Sequence, residues 1–252
     1  MAAKAPCWCC CKPPKNKGDL RRPRSLLLSR DCRFSAIFRV DRSCLHVIYN
    51  GVDTADYHPR LSEVHREETR SRLGIAEDAP LLLYVGSGYE RKGVPQLLQA
   101  FSSLKRRDAQ LVIIGADRKL QATKAAAAGL RLAGRTHFLG PVRDVRPFYA
   151  AADGFVLPTI YDPCPNAALE AMACGLPVIT TTGCGGAEFI VQGSNGYVCD
   201  ALDIPALQAS VSALPTRALG SAQGERARER IMRCTSEHLS AQLLSLYQDL
   251  VK

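Results

Sequence analysis

Leu81-Leu82-Leu83-Tyr84-Val85 is an unbroken apolar run that leads into a glycine-rich turn, and a helix is predicted after it near 93–106. The same order of apolar run, loop and helix recurs further along the chain. The later runs lie at 111–114, 137–139, 154–157, 177–181 and 196–199. Strands that are apolar on both faces and alternate with helices indicate a parallel sheet covered on both sides. We therefore predict an α/β fold with a single doubly wound, Rossmann-like parallel sheet.

The helices expected between these strands lie near 118–130, 145–151, 166–174, 186–192 and 203–214, and two more are expected across 222–250. Before the first strand, residues 60–73 are predicted to form a surface helix with Leu61, Val64 and Leu73 as sparse anchors. Ligands of doubly wound sheets bind beyond the carboxyl ends of the strands. The loops that follow the strands are therefore where binding residues are expected.

Composition and charge narrow the class of protein. Apolar residues make up 46% of the 252 residues and charged residues 23%, which is typical of a globular protein. No apolar run reaches the roughly 18 residues of a membrane helix. Leu26-Leu27-Leu28 is too short for a signal-peptide core, so we predict a cytoplasmic protein. Residues 1–45 carry +8 of the formal charge of +9, and we interpret this basic segment as a solvated tail rather than an arm that binds anionic lipid or nucleic acid.

Metal binding is not expected. The chain has eleven cysteines, and the cluster Cys7, Cys9, Cys10 and Cys11 has no second pair at zinc spacing. Neither an Asp-x-Asp motif nor a His cluster with ligand spacing occurs in the sequence.

The loop after Val85 reads Gly86-Ser87-Gly88-Tyr89-Glu90-Arg91-Lys92-Gly93. It begins like a dinucleotide fingerprint, but Arg91 stands where the third glycine is required, which weakens a nicotinamide-dependent reading. No Gly-Lys-Ser/Thr follows, so it is not a P-loop. Two adjacent cations on a glycine-flanked loop suit a diphosphate through charge-assisted hydrogen bonds. A solvated loop tip remains the alternative.

The stretch 161–177 places two carboxylates around the start of a helix. Asp162 lies in the turn after a strand, and Glu170 lies about one turn into the next helix. Between them, the free backbone N–H groups of Asn166 and Ala167 create a positive pole that favours an anion. Glu170 could accept hydrogen bonds from two adjacent hydroxyls, as in a ribose, and Asp162 could reach a second sugar. The alternative is that Asp162 is a turn residue and Glu170 a surface charge.

These motifs resemble glycosyltransferase family four, of the GT-B fold, over about residues 45–215, and within it the lipopolysaccharide core glucosyltransferase I group. Asp162-Pro163-Cys164-Pro165-Asn166 stands where the wider family has Glu-Pro-Phe-Gly, and Asn50-Gly51-Val52-Asp53 and Gly88-Tyr89-Glu90-Arg91-Lys92-Gly93 also match. Ser87 departs from the family, which often has an arginine there. The resemblance implies UDP-glucose or a related UDP-hexose as donor substrate, retention of anomeric configuration, and no metal or other cofactor.

The resemblance also implies roles for single residues. Glu170 would hold the ribose hydroxyls, and Arg91 and Lys92 would hold the diphosphate. Asp162, the catalytic candidate, would hold hydroxyls of the donor hexose together with nearby backbone amides. The donor-binding candidates by number are Arg91, Lys92, Val142, Asp162, Cys164, Asn166, Ala167 and Glu170. Val142 would meet the uracil through its backbone.

The resemblance divides the chain into three parts. Residues 1–33 would be a disordered basic, Cys-rich tail or remnant, 34–74 the end of a truncated N-terminal domain and a linker, and 75–252 the nucleotide-sugar-binding domain with C-terminal helices. The acceptor implied is the lipopolysaccharide core, with a peripheral contact at the inner membrane left open and no nucleic-acid partner. A non-catalytic nucleotide-sugar-binding fragment is the rival hypothesis, because the binding residues are common to both.

Overall fold

The structure is a computed structural model that describes residues 24–26, 45–214 and 221–251. The predicted basic tail therefore lies outside the described residues except for 24–26. Two short strands, β1 (Arg24–Leu26) and β2 (Leu45–Val47), pair in parallel. Within the described part of the chain, no helix combines the length and apolarity needed to cross a bilayer.

The main sheet has six strands: β3 (Leu81–Val85), β4 (Gln110–Ile114), β5 (Thr136–Gly140), β6 (Gly154–Val156), β7 (Val178–Thr181) and β8 (Gly196–Cys199). Their spatial order is β5-β4-β3-β6-β7-β8, and every pairing is parallel. The strands are apolar on both faces because helices cover both, and Leu83 and Phe155 are completely buried at the centre. The predicted doubly wound sheet is confirmed.

The helices are α1 (Leu61–Leu73), α2 (Val94–Ser102), α3 (Leu120–Gly129), α4 (Arg146–Ala151), α5 (Asn166–Ala173), α6 (Ile204–Ser212), α7 (Ala222–Ile231) and α8 (Ser236–Val251). Each lies where the sequence predicts a helix. The exception is the helix expected near 186–192, which is only a 3₁₀ turn at Gly185–Phe189. Gly185 and Gly186 at its start disfavour an α-helix because glycine loses the most backbone entropy on ordering.

The strand order reverses between β3 and β6, which are adjacent in the sheet, with Leu82 opposite Gly154 and Leu83 opposite Phe155. From β3 the chain moves outward to β4 and β5, then crosses back to β6 and continues outward to β7 and β8. Ligands of such sheets bind at this topological switch point, beyond the carboxyl ends of the strands. The loops after β3, β4 and β6 begin at this edge of the sheet and line a crevice there.

Helix α1 is oriented differently from the sequence prediction. Leu61 and Leu73 pack against the core as predicted, but Val64 is 70% exposed. The buried side is instead formed by Arg66 and Arg70, which reach Asp153 at the start of β6. An ion pair that is buried on both sides fixes the rotation of the helix, because an arginine left in the core without a carboxylate is costly. The proposed domain boundary at residue 74 stays a prediction. Helix α1, which precedes that boundary in the chain, packs on α4, which follows it.

Candidate functional site

Three loops surround the crevice at the switch point: the β3 loop (86–93), the β4 loop (115–119) and the β6 loop (157–165). They carry most of the charged residues that the sequence singles out. Helix α5 begins directly after the β6 loop, and α4 lies next to α5. The site is built from the contacts among these elements.

The β3 and β6 loops are joined by their charged residues. The Lys92 Nζ atom lies 2.5 Å from Asp162 Oδ2, and both side chains are largely buried, at 14% and 11% exposure. Arg91 donates from Nη1 to the carbonyl oxygen of Tyr161 at 2.7 Å and accepts from the N–H of Ile160 at 2.9 Å through its own carbonyl. The structure therefore brings Arg91, Lys92 and Asp162 together at the switch point.

Gly93 allows this close approach. Its φ is +77°, in the left-handed region, and a Cβ atom there would lie 1.9 Å from the carbonyl oxygen of Pro158. Only glycine fits a backbone contact of that kind. Gly93 also precedes the first residue of α2, so one glycine both starts the helix and admits the β6 loop.

Asp162 is fixed through its backbone as well as its side chain. Its N–H donates to Gly183 at 3.2 Å, and its carbonyl accepts from Gly185 at 2.8 Å. These bonds tie the β6 loop to the segment after β7. Asp162 is 8% exposed, so its carboxylate lies inside the crevice wall with Lys92 as its charged partner.

The first turn of α5 follows the β6 loop directly. Pro165 is the residue before the helix and has an extended conformation. No side chain caps the first turn. Among the described residues, no protein group accepts from the N–H of Asn166 or Ala167. Asn50 donates to the Asn166 side chain at 2.7 Å and to the carbonyl of Cys164 at 3.1 Å, which positions this turn. The turn presents free N–H donors of the kind that bind anions.

Glu170 is held by a residue that sequence reasoning missed. The hydroxyl of Tyr149, on α4, lies 2.9 Å from Glu170 Oε2 and 3.1 Å from the carbonyl oxygen of Ala167. Tyr149 is 1% exposed, and Tyr57 packs edge-on against its ring at a centroid distance of 5.8 Å. Burial raises the pKa of Glu170, and the hydrogen bond from Tyr149 acts against this shift. The sequence signal for this contact was the hydroxyl of Tyr149, which lies within a short and otherwise mostly apolar helix.

Val142 and Cys164 occupy the margins of the site. Val142 lies in the loop after β5, half-buried against the core, and the described hydrogen bonds do not link it to the other predicted residues. Helix α4 follows that loop, and its Tyr149 contacts α5 through the Ala167 carbonyl. Burial raises the pKa of the Cys164 thiol, so the thiol stays protonated at neutral pH, and the Cys164 carbonyl accepts from Asn50.

A cavity of about 660 Å³ lies beside Arg91. Its wall includes residues that no sequence motif indicated. The wall includes five charged side chains and one large apolar side chain: Glu90, Arg91, Asp117, Arg118, Lys119 and Ile160. We call it the Arg118 cavity. In the described residues, no group of three or more His, Cys, Asp or Glu side chains is arranged to hold a metal ion, and the absence of a metal or cofactor stays a prediction.

Comparison with known families supports a family assignment. The model of the family "Glycosyl transferases group 1" matches residues 65–230. An uncharacterized glycosyltransferase of Methanocaldococcus jannaschii is 32% identical over 164 residues, which is 64% of this chain and 42% of that protein. The lipopolysaccharide glucosyltransferase WaaG of Escherichia coli is 38% identical over 136 residues, 53% of this chain and 36% of WaaG. The chain thus spans about two fifths of the length of these relatives.

Solved structures agree on the fold. A crystal structure of WaaG superposes with a TM-score of 0.72 at 26% identity, over 88% of this chain and 61% of that one. The Anabaena protein HepE, solved in complex with UDP and glucose, superposes with a TM-score of 0.78 at 20% identity, over 88% of this chain and 62% of that one. The predicted α/β class and the GT-B-type sheet are therefore confirmed.

Proposed function

The chain belongs to the glycosyl transferases group 1 family, and from this premise we propose that it is the donor-binding part of a retaining, metal-independent hexosyltransferase that uses UDP-glucose or a related UDP-hexose. The observation that carries the proposal is the joining of Arg91, Lys92 and Asp162 at the switch point, beside an uncapped helix start. HepE, a structural neighbour, was solved with UDP and with UDP-glucose, which supports the choice of nucleotide.

The diphosphate is assigned to the cationic side of the crevice. Arg91 is exposed, and its guanidinium donates one known hydrogen bond, to Tyr161, so further N–H groups remain available. The N–H groups of Asn166 and Ala167 add a helix start that favours negative charge. Positive groups placed before the reaction stabilise the charge that develops on UDP as the bond to the sugar breaks.

The nucleoside and the hexose are assigned to the two acids. Glu170 would accept from the ribose hydroxyls with the oxygen that Tyr149 leaves free, and the backbone near Val142 would meet the uracil. Asp162, with backbone groups of Cys164 and its neighbours, would accept from hydroxyls of the hexose. As a fixed carboxylate, Asp162 would orient the sugar for attack at its anomeric carbon, where positioning supplies much of the rate.

The acceptor proposed is the lipopolysaccharide core, because the E. coli relative is named as a lipopolysaccharide glucosyltransferase. We propose that this activity is cytoplasmic, with a peripheral contact at the inner membrane. Nucleotide-sugar binding without transfer is the second candidate, since all the groups assigned above are binding groups.

Two measurements test these proposals. Isothermal calorimetry with UDP, UDP-glucose and NADH should give binding for the first two and none for NADH; tight NADH binding without UDP binding would contradict the proposed function. Transfer of radiolabelled glucose from UDP-glucose to core-deficient lipopolysaccharide, compared with a no-enzyme control, separates the two candidates. Incorporation supports the transferase, and binding without incorporation supports the non-catalytic alternative.

A further inference from the structure

The segment 49–52, between β2 and α1, is anchored at both of its ends. The hydroxyl of Tyr49 donates to Glu188 Oε2 at 2.5 Å, in the turn after β7. The N–H of Val52 donates to the carbonyl of Cys234 at 2.9 Å, and Val52 is only 3% exposed. The residues between these two anchors therefore have a fixed position relative to the sheet.

Asn50 lies in this segment, and a backbone carbonyl fixes which way its carboxamide faces. A carbonyl oxygen only accepts hydrogen bonds, so the group of Asn50 that lies 3.1 Å from the Cys164 carbonyl is its NH2 group. The same NH2 group lies 2.7 Å from the carboxamide of Asn166, so Asn166 must present its oxygen there. The orientations of both carboxamides thus follow from one backbone acceptor.

The NH2 group of Asn166 is consequently turned away from Asn50. The side chain of Asn166 is exposed, and in the part of the chain that the structure describes no protein group accepts from this NH2 group. An amide nitrogen of this kind carries two N–H donors. Asn50 therefore makes the Asn166 side chain a donor on the side that faces away from the 49–52 segment.

These side-chain donors belong to the helix start that is assigned to the diphosphate. Asn166 is the first residue of α5, and its backbone N–H and that of Ala167 have no protein acceptor among the described residues. An anion held on the backbone N–H of Asn166 lies within one side-chain length of its carboxamide. A hydrogen bond from an amide to a phosphate oxygen is charge-assisted and therefore stronger than one between neutral groups. The backbone and side-chain donors of Asn166 suit the same anion.

We propose that Asn50 is a positioning residue that turns the Asn166 carboxamide so that its NH2 group donates to the phosphates of the nucleotide sugar. This inference rests on the proposed function. Asn166 makes the contact with the ligand, and Asn50 acts only through Asn166. Without Asn50, the carboxamide of Asn166 would adopt both of its orientations, and one of them presents an oxygen atom to the phosphates. That orientation is repelled by the diphosphate, so the loss of Asn50 weakens binding.

The test compares the binding of UDP with that of uridine, which carries no phosphate, by calorimetry of the full chain. Asn166→Ala should weaken UDP binding about tenfold or more, the scale of a lost charged hydrogen bond, and leave uridine binding unchanged. Asn50→Ala should weaken UDP binding by about two- to tenfold, because the released carboxamide still donates part of the time. In the Asn166→Ala background, Asn50→Ala should cause no further loss, since no carboxamide is left to position. Gln242→Ala removes a carboxamide from an exposed position on α8 and should change neither affinity.

Other results overturn the proposal. Unchanged UDP affinity in Asn166→Ala would remove the assigned contact, and an equal loss of uridine affinity would show that the phosphates are not its target. If Asn50→Ala has the same effect with and without Asn166, Asn50 acts through the Cys164 carbonyl, which is a structural role. UDP binding by the parent chain is measured first, so failure of the proposed function appears as absent UDP binding. Thermal melts check the fold of every variant, and Asn50→Ser, which keeps one donor, replaces Asn50→Ala in the same comparison if that variant does not fold.

Discussion

Replacing Glu170 by alanine tests the nucleoside assignment. If Glu170 accepts from the ribose hydroxyls, the variant loses one or two charged hydrogen bonds, worth about 1–3 kcal/mol together. Because about 1.4 kcal/mol is a factor of ten, the Kd for UDP should rise roughly 5- to 150-fold. Calorimetry at neutral pH measures this directly. Glu68→Ala, at an exposed position of α1, is the matched control and should leave the Kd unchanged.

The fold should survive this substitution. The hydroxyl of Tyr149 keeps the Ala167 carbonyl as its acceptor at 3.1 Å, so no buried donor is left without a partner. Burial raises the pKa of Glu170, which means that the folded protein binds a proton there more readily than the unfolded chain. The ionised carboxylate therefore costs stability at neutral pH, and that cost disappears as pH falls below the unfolded pKa. The melting temperature of the variant should equal or slightly exceed that of the parent.

The pH dependence gives an independent readout. A protonated carboxyl is a poorer acceptor for ribose hydroxyls, so UDP affinity should fall as pH drops through the raised pKa of Glu170, beginning above the ordinary glutamate value of 4.5. The side chain that influences this carboxyl is Tyr149, which is neutral in that range because a tyrosine hydroxyl ordinarily titrates near 10 and burial raises its pKa further. Glu170→Ala should lose this step. An unchanged Kd for UDP in the folded variant at neutral pH would refute the assignment.

Three other substitutions test how the site is supported. Tyr149→Phe deprives two buried acceptors of a donor and should lower the free energy of unfolding, measured in urea, by about 1–3 kcal/mol. Tyr247→Phe is the control, because Tyr247 is 56% exposed and its change should matter little. Equal effects of the two variants would contradict the role of the Tyr149 hydroxyl. Gly93→Ala and Gly134→Ala share a φ of +77°, but only the first would clash with backbone. Gly134→Ala should cost the left-handed strain of about 1–2 kcal/mol, and Gly93→Ala clearly more; similar losses would show that the loops can separate. Asp153→Ala removes the buried carboxylate of Arg66 and Arg70 and leaves them only Glu77, whose side chain is 57% exposed. It should cost about 3–5 kcal/mol by the same assay, and a loss below 1 kcal/mol would show that the network is dispensable.

The sheet was predictable because its signal is local. Continuous apolar runs as short as 81–85 and 111–114, each bounded by turn residues, favour strands of a sheet covered on both faces. The switch point follows from the strand order, and the order of such folds is restricted by short, right-handed crossovers. The position of the candidate crevice was therefore accessible from the sequence.

The rotation of α1 was not predictable in the same way. An apolar pattern would turn Val64 inward, but the helix turns Arg66 and Arg70 inward instead. Their partner, Asp153, lies more than 80 residues away in the chain and is itself buried. Pairing of this kind depends on tertiary contacts, so a rule based on hydrophobic spacing misses it.

The β4 loop shows a second limit. Arg118 and Lys119 match no phosphate-binding motif, and a sequence alone cannot say which cations are already paired. The structure separates them, because Lys119 is bound to Glu90 and Arg118 has no carboxylate partner among the described residues. Ser87, likewise part of no phosphate-binding motif, accepts with its hydroxyl from the N–H of Ala116 and so holds the β4 loop.

The ion pair between Lys92 and Asp162 decides which groups of the candidate site attract the diphosphate. Asp162 is nearly buried and ion-paired, so the position of its carboxylate follows Lys92. An ammonium group has three N–H donors, and one directed at Asp162 leaves two for a phosphate oxygen. A diphosphate therefore need not break the Lys92–Asp162 pair in order to bind. Because that pair is neutral overall, the net attraction for the diphosphate must come from Arg91 and the start of α5, whereas the pair fixes where the sugar lies relative to them.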